Sequence, residues 1–355
     1  MSSLKFLLSQ YLKLKQTSKT ASTSGFTLIE LLVAMIIAAL IIGTLLSFML
    51  NIVTTDRKEQ AKSTSEQELQ AAIDYIARDL AQAVYIYDAD GISRNTNTDP
   101  ALSGIRNQIP PAQPTAGCNA TPTCEPIVVF WKRASLPRDL PVTSGSNNTT
   151  IGCLFKLSNG TTCSEQDQFV YSLVAYYLIR DNSTTTNWSN AARIGRFEIR
   201  DGIRTTDTSK PSRVEVIGTQ PSRTVNYLLL PSPGFMPPNL SLAGDLKARM
   251  NQWTKHSAAY DTGVDVLADY VDQSTTAPLP FTCAAPQRIP PATSTTIPNS
   301  FYTCVDSTRN LAQVYIRGNA LARFNKVPPF YSQVQSAYFP TTQIQVEGRG
   351  FLNAR

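Results

Sequence analysis

From Leu31 to Thr55 the chain carries no charged residue, and a helix of that length is enough to cross a bilayer core of about 30 Å. One membrane span is therefore the first expectation. The segment before it holds Lys5, Lys13, Lys15 and Lys19 and no acid, whereas Asp56, Arg57, Lys58 and Glu59 just after it are balanced. A lysine excess stays on the cytoplasmic side, which sends everything beyond Asp56 across the membrane. The six cysteines all lie beyond the span, and an even count in loop-rich sequence fits disulfides formed outside the cytoplasm.

The order of segments is unlike that of an ordinary signal peptide, where cleavage follows the apolar stretch. Here a polar, lysine-bearing leader ends in Ser24-Gly25, and the apolar run opens directly afterwards as Phe26-Thr27-Leu28-Ile29-Glu30-Leu31-Leu32-Val33-Ala34-Met35. This stretch resembles the start of type IV pilins and type II secretion pseudopilins. The resemblance implies that a prepilin peptidase cuts after Gly25 on the cytoplasmic side and that the new N-terminal Phe26 is methylated. Glu30 carries a physical reading of its own, because a lone carboxylate in an apolar run is costly unless it finds a partner. Cleavage would make the amine of Phe26 a cation four residues before Glu30, so that one subunit's amine could pair with a neighbour's carboxylate. The simpler alternative leaves Glu30 at the cytoplasmic interface with its head in water.

After Thr55 the chain turns polar without Gly or Pro until Gly91, so the helix is expected to run on. Leu69, Ile73, Ile76, Leu80 and Val84 recur at steps of three or four and make one apolar stripe, while Glu66, Glu68, Asp74, Arg78 and Asp79 fall largely off it. Counted from Phe26 to Tyr87, the helix would have roughly 60 residues and a length of about 90 Å if straight. The expected organisation is a cleaved leader over 1–25, a transmembrane and assembly helix over 26–55, an amphipathic extension over 56–87 and an extracytoplasmic domain over 88–355. Gly43, inside the apolar run, reads equally as a bend or as a close-packing residue.

Asp88 to Pro126 reads as a long loop rich in Asn, Thr, Pro and Gly. Strands are expected at Ile127 to Trp131, Ile151 to Leu157, Phe169 to Arg180, Arg193 to Arg200, Arg213 to Ile217 and Val225 to Leu230, separated by turn formers in the manner of an antiparallel sheet. Leu240 to Tyr270 reads as a second helical region, followed by a strand at Ala312 to Ala320. One long helix on such a sheet is an α+β, pilin-like layout with an enlarged external domain. Tyr176-Tyr177-Leu178-Ile179-Arg180 followed by Arg196-Phe197-Glu198-Ile199-Arg200 is similar to a paired-strand pattern of minor pseudopilins of the J or W type. Together with the later segments, it looks most like the hormogonium polysaccharide secretion pseudopilins of filamentous cyanobacteria. This implies a subunit that supports polysaccharide secretion and gliding motility.

Cys118, Cys124, Cys153, Cys163, Cys283 and Cys304 lack the CxxC spacing that holds zinc. Many pairings are open to them. The local ones, Cys118 with Cys124, Cys153 with Cys163 and Cys283 with Cys304, close the shortest loops, and buried free thiols are the alternative.

Chemistry for catalysis is sparse. His256 is the only histidine, no nucleophile-elbow sequence surrounds it, and neither a Walker loop nor a Rossmann glycine fingerprint is evident. Asp88-Ala89-Asp90-Gly91, with its closely spaced oxygens, and Asp261, Asp265, Asp269 and Asp272, which fall on one face of the expected second helical region, are candidate calcium ligands, although neither group is an EF-hand loop. No other cofactor is expected. Trp131, Trp188, Trp253, Tyr176 and Tyr177 could line a sugar-binding surface, but aromatic residues in strands are more often core. A net charge of +6 comes from scattered residues and does not point to nucleic acid.

The expected function is therefore a minor pilin-like subunit, not an enzyme. Its partners would be other pilins or pseudopilins, a prepilin peptidase, an inner-membrane platform and an assembly ATPase. It would be a single-pass inner-membrane protein with a cytoplasmic N-terminus until it joins a filament. The competing reading is a membrane-tethered carbohydrate-binding domain or enzyme that uses a pilin-type anchor.

Overall fold

The computed structural model describes residues 25–119, 123–144, 147–154, 162–163, 165, 168–180, 188–215, 222–284, 287–291 and 296–350. The leader up to Ser24 lies outside the described residues, as do the second half of the strand expected at Ile151 to Leu157 and the end of the one expected at Arg213 to Ile217. Two compact units divide the chain, residues 1–57 and 58–355.

Helix α1, Leu28–Ala81, is continuous over 54 residues. Its apolar part needs no Gly or Pro interruption to explain: Gly43 sits in open space with nothing near the place its Cβ would take. No residue from Leu28 to Arg57 is buried within the chain, and burial begins at Ala61. From there Ala61, Ser65, Leu69, Ala72, Ile73, Ile76, Asp79 and Leu80 face inward at the spacing of one helical stripe.

The helix ends earlier than its periodicity suggests. Val84, read as the last member of the stripe, belongs instead to strand β1, Ala83–Ile86, in which every residue is buried. The run Val84-Tyr85-Ile86-Tyr87 is β-branched and aromatic throughout, and a segment buried on all sides satisfies a strand between neighbours better than a helix with one dry face. A short helix α2, Ala89–Ser93, and a turn of 3-10 helix at Arg106–Gln108 interrupt the segment expected to be a plain loop.

The main sheet has five strands, with β1 at one edge. Its members after β1 are β2 (Thr123–Leu136), β5 (Gln168–Arg180), β6 (Ala192–Arg200) and β10 (Asp265–Val271), and every neighbouring pair is antiparallel. A second antiparallel sheet joins β11 (Arg288–Ile289), β12 (Phe301–Asp306), β13 (Leu311–Arg317) and β14 (Thr341–Glu347). Strands β3 (Pro141–Ser144) and β4 (Asn147–Thr150) form a two-stranded ribbon, and β7 (Ile203–Thr205), β8 (Ser212–Glu215) and β9 (Arg223–Leu229) make a small sheet in the order β7-β9-β8. Leu69, Ile73, Ile76 and Leu80 of α1 share one apolar cluster with Phe130 and Trp131 of β2, Val174 and Tyr176 of β5, Phe197 of β6, and Val314 and Ile316 of β13. This is the α+β, pilin-like architecture expected: a long apolar N-terminal helix followed by antiparallel sheets in a large domain.

Two further expectations fail. Leu240 to Tyr270 is not a helix; it holds only α3, Leu246–Asn251, capped by the Asp245 side chain on Ala248 N, and then β10 pairs with β6. The Val and Tyr content of Asp265-Val266-Leu267-Ala268-Asp269-Tyr270-Val271 favours an extended chain. Ile151–Cys153 is a 3-10 turn rather than the start of a strand.

Residues 348–350 close the edge at the helix–strand junction. Arg349 N donates to Ala81 O at 3.1 Å and Gly350 N to Ala83 O at 3.0 Å, while Asn310 Nδ2 donates to both Ala83 O and Gly348 O.

Candidate functional site

The first described turn is built from Gly25, Phe26, Thr27 and Glu30. Thr27 opens α1: its carbonyl accepts from Leu31 N at 3.1 Å, and its hydroxyl accepts from Glu30 N at 3.3 Å. The same hydroxyl lies 3.4 Å from Glu30 Oε2, to which it donates. Thr27-Leu28-Ile29-Glu30 is thus a threonine with an acid three residues on, the pattern of a capping box, although the carboxylate reaches the hydroxyl and not the backbone. A carboxylate in the first turn also faces the positive end of the helix dipole. The sequence carried this signal, and the reading of Glu30 as a lone membrane acid overlooked it. Phe26 is 81% exposed and Gly25 has open space around it, so the Gly25–Phe26 peptide is uncovered by the rest of the described chain.

The apolar window of α1 has a mean hydropathy of 2.7, and none of it is buried inside the chain. A core helix would be covered. An uncovered helix of this composition has lipid or other helices as its natural surroundings.

A second constellation escaped the sequence reading. Asp79, assigned to the solvated side of the helix, is 8% exposed. Its Oδ1 accepts from Lys132 Nζ at 2.9 Å; its Oδ2 accepts from Arg196 Nε at 2.8 Å and from Tyr176 OH at 2.7 Å. Glu198 closes the network, 2.6 Å from Arg196 and 3.5 Å from Lys132. Burial alone would raise the Asp79 and Glu198 pKa values, but Arg196 and Lys132 outweigh it and hold both carboxyls below their ordinary range. Two acids and two cations balance, so one helix and two strands are joined by charge, and a third strand through the Tyr176 hydroxyl, as well as by apolar contact.

The cysteines pair locally as Cys118–Cys124, Cys153–Cys163 and Cys283–Cys304, with Cα separations of 5.7, 4.6 and 5.4 Å. The candidate calcium groups are engaged elsewhere. Asp88 caps α2 by accepting from Gly91 N, and Lys247 lies 2.6 Å from Asp88 and 3.2 Å from Asp90. Asp261, Asp265, Asp269 and Asp272 do not share a helical face, because Asp265 and Asp269 lie in β10. Asp269 accepts from Ser189 Oγ, and Asp272 is fully buried against Arg317 at 2.8 Å. Among the described residues no group of three or more His, Cys, Asp or Glu side chains is placed to hold a metal.

His256 Nδ1 accepts from Ala258 N at 3.1 Å. Burial and the nearby Arg213 guanidinium push its pKa down. Trp131, Trp253, Tyr176 and Tyr177 are core residues, and of the aromatic residues considered for sugar contact only Trp188 is exposed.

The family model for the prokaryotic N-terminal methylation motif matches residues 21–46. No curated protein and no solved structure matches the chain. The chain thus bears a prepilin-like N-terminal motif, which indicates a substrate of prepilin peptidase, and among the described residues this motif runs directly into one long apolar helix suited to membrane anchoring. Such a motif suggests pilin partners and membrane association.

Proposed function

We propose that this chain is a minor pseudopilin, cleaved between Gly25 and Phe26, methylated on Phe26 and built into a short pilus-like or type II secretion-like filament. The observation that carries the reading is the sequence Gly25-Phe26-Thr27-Leu28-Ile29-Glu30 opening a helix whose apolar turns have no cover within the chain. Residues 26–55 anchor the precursor in the inner membrane and later pack against like helices. The domain beyond Asp56 faces the periplasm or cell exterior, where its three disulfides are stable. Glu30 pairs with the Phe26 amine of a neighbour: the carboxylate held by Thr27 in the single chain exchanges a weak contact at 3.4 Å for a cation in an apolar surrounding, where such pairing counts for more.

In this reading the chain is not an enzyme and needs no cofactor. It depends on a prepilin peptidase, an inner-membrane platform and an assembly ATPase, and its large domain selects partner subunits during polysaccharide export and motility. The test is mass spectrometry of the mature N-terminus in cells with and without prepilin peptidase, combined with affinity capture of the filament. A methylated Phe26 start that vanishes without the peptidase is expected; a Met1 start in both strains would overturn the proposal.

A further inference from the structure

The segment from Phe324 to Tyr338 concentrates exposed apolar side chains. Val327 is 82%, Phe330 68% and Val334 96% exposed, with Phe324 at 45%. Isolated exposed apolar residues need no account, but a cluster within eleven positions does. The backbone that presents them is fixed: Asn190 Nδ2 donates to Lys326 O at 2.9 Å, Asn319 Nδ2 to Pro329 O at 2.7 Å, and Tyr331 N to Ser274 Oγ at 2.6 Å. The loop is thus held with its apolar side chains outward.

Both ends of the loop are tied to the same few turns of α1. Arg323 Nε donates to Ser65 Oγ at 2.8 Å and pairs with Glu68. Tyr338 OH lies 3.5 Å from Glu59, and Lys58 Nζ lies 5.9 Å from the Tyr338 ring. Lys58 follows Thr55, the last residue of the uncharged run, by three positions, about 4.5 Å of helix rise. Residues 324–338 carry Lys326 and no acid, and Arg323 just before them is already paired with Glu68. Apolar and aromatic tips flanked by Lys58 and Lys326, with no acid inside the loop itself, have the composition of a membrane-interface contact.

We propose that Val327, Phe330 and Val334 form a second membrane contact that seats the large domain on an anionic lipid surface before assembly. The inference rests on the reading of Leu31 to Thr55 as a membrane span. Removal of the subunit from the bilayer into a filament must therefore release this loop as well as the helix.

The test uses the full chain in nanodiscs of mixed phosphatidylcholine and phosphatidylglycerol, one copy per disc, with and without phosphatidylcholine brominated near the top of its acyl chains. The Phe330→Trp and Val334→Trp proteins replace solvent-exposed side chains and leave the core untouched; wild type supplies the baseline from the native tryptophans. Phe48→Trp reports the span. The expected result, after subtraction of the wild-type emission, is a blue-shifted signal from each loop variant that bromolipid quenches, with stronger quenching for Phe48→Trp. Quenching of Phe48→Trp without added quenching in either loop variant would overturn the loop contact and leave the anchor intact. No quenching in any variant would remove the anchor reading and this inference with it. Shielding of the loop variants from acrylamide only when a disc holds two copies, without bromolipid quenching, would also overturn the proposal and assign the patch to a second copy of the chain.

Discussion

Asp79→Ala removes the acceptor at the centre of the helix–sheet network and leaves Lys132 and Arg196 in place. Breaking one side of a buried ion pair costs about 3–5 kcal/mol. Glu198 still stands 2.6 Å from Arg196 and 3.5 Å from Lys132, so the cations keep one partner and the loss falls near the lower figure, about 3 kcal/mol. In a domain of this size each kcal/mol moves the midpoint by about 2 °C, giving a drop of about 6 °C. Two measurements on the detergent-solubilised full chain check this: thermal unfolding by circular dichroism, and hydrogen exchange over residues 69–81, where protection should fall more than elsewhere. Adding Lys132→Met to Asp79→Ala removes one unpaired cation, and part of the loss, about 1–2 kcal/mol, should return as coupling between neighbours. A midpoint within a degree of wild type, or strictly additive single and double variants, would refute the idea that this network fastens α1 to the sheet.

The same carboxyls predict acid sensitivity. Because their folded-state pKa values are depressed, the stability they contribute is fully present above the ordinary carboxylate range and is lost as pH falls through about 4 towards the lower folded values; Asp79→Asn should flatten this part of the stability–pH profile. Glu30→Leu should leave membrane insertion intact and reduce filament incorporation by at least an order of magnitude, while Glu30→Gln, which retains a hydrogen-bond acceptor for Thr27, separates the cap from the charge. Equal incorporation of both variants and wild type would sink the pairing role. Opening the Cys283–Cys304 link, a sequence separation of 21, by paired Cys→Ser substitution should cost about 3 kcal/mol, read as a lower urea midpoint under non-reducing conditions.

The N-terminal site was legible because its chemistry is local: a glycine, an aromatic residue, a hydroxyl and a carboxylate within six positions, followed by an uncharged run. The Asp79 network was not, since its partners lie 53 and 117 residues away. Two signals pointed towards it: Asp79 lies three residues after Ile76 and beside Leu80 on the buried stripe, and Arg196 and Glu198 share one face of a strand that also carries the apolar Ile194, Phe197 and Ile199. The misplaced helix end has a simple origin. Val84 fits a step of four from Leu80, but Tyr85, Ile86 and Tyr87 are just as apolar, and a stripe that widens to the full circumference no longer describes an amphipathic helix. Asp265 to Val271 failed for a related reason, as acids spaced by four residues suggested one helical face while the intervening Val and Tyr preferred a strand.

The tie between residues 348–350 and the end of α1 has a consequence in time. The apolar segment leaves the ribosome roughly 300 residues before Gly350, at a synthesis rate of about 5–20 residues per second. For many seconds an anchored precursor would therefore hold a helix whose last turn and following strand lack their closing partner. Under the proposed filament role, a subunit that needs this tie to complete its fold would become ready to leave the bilayer only once translation has passed Gly350.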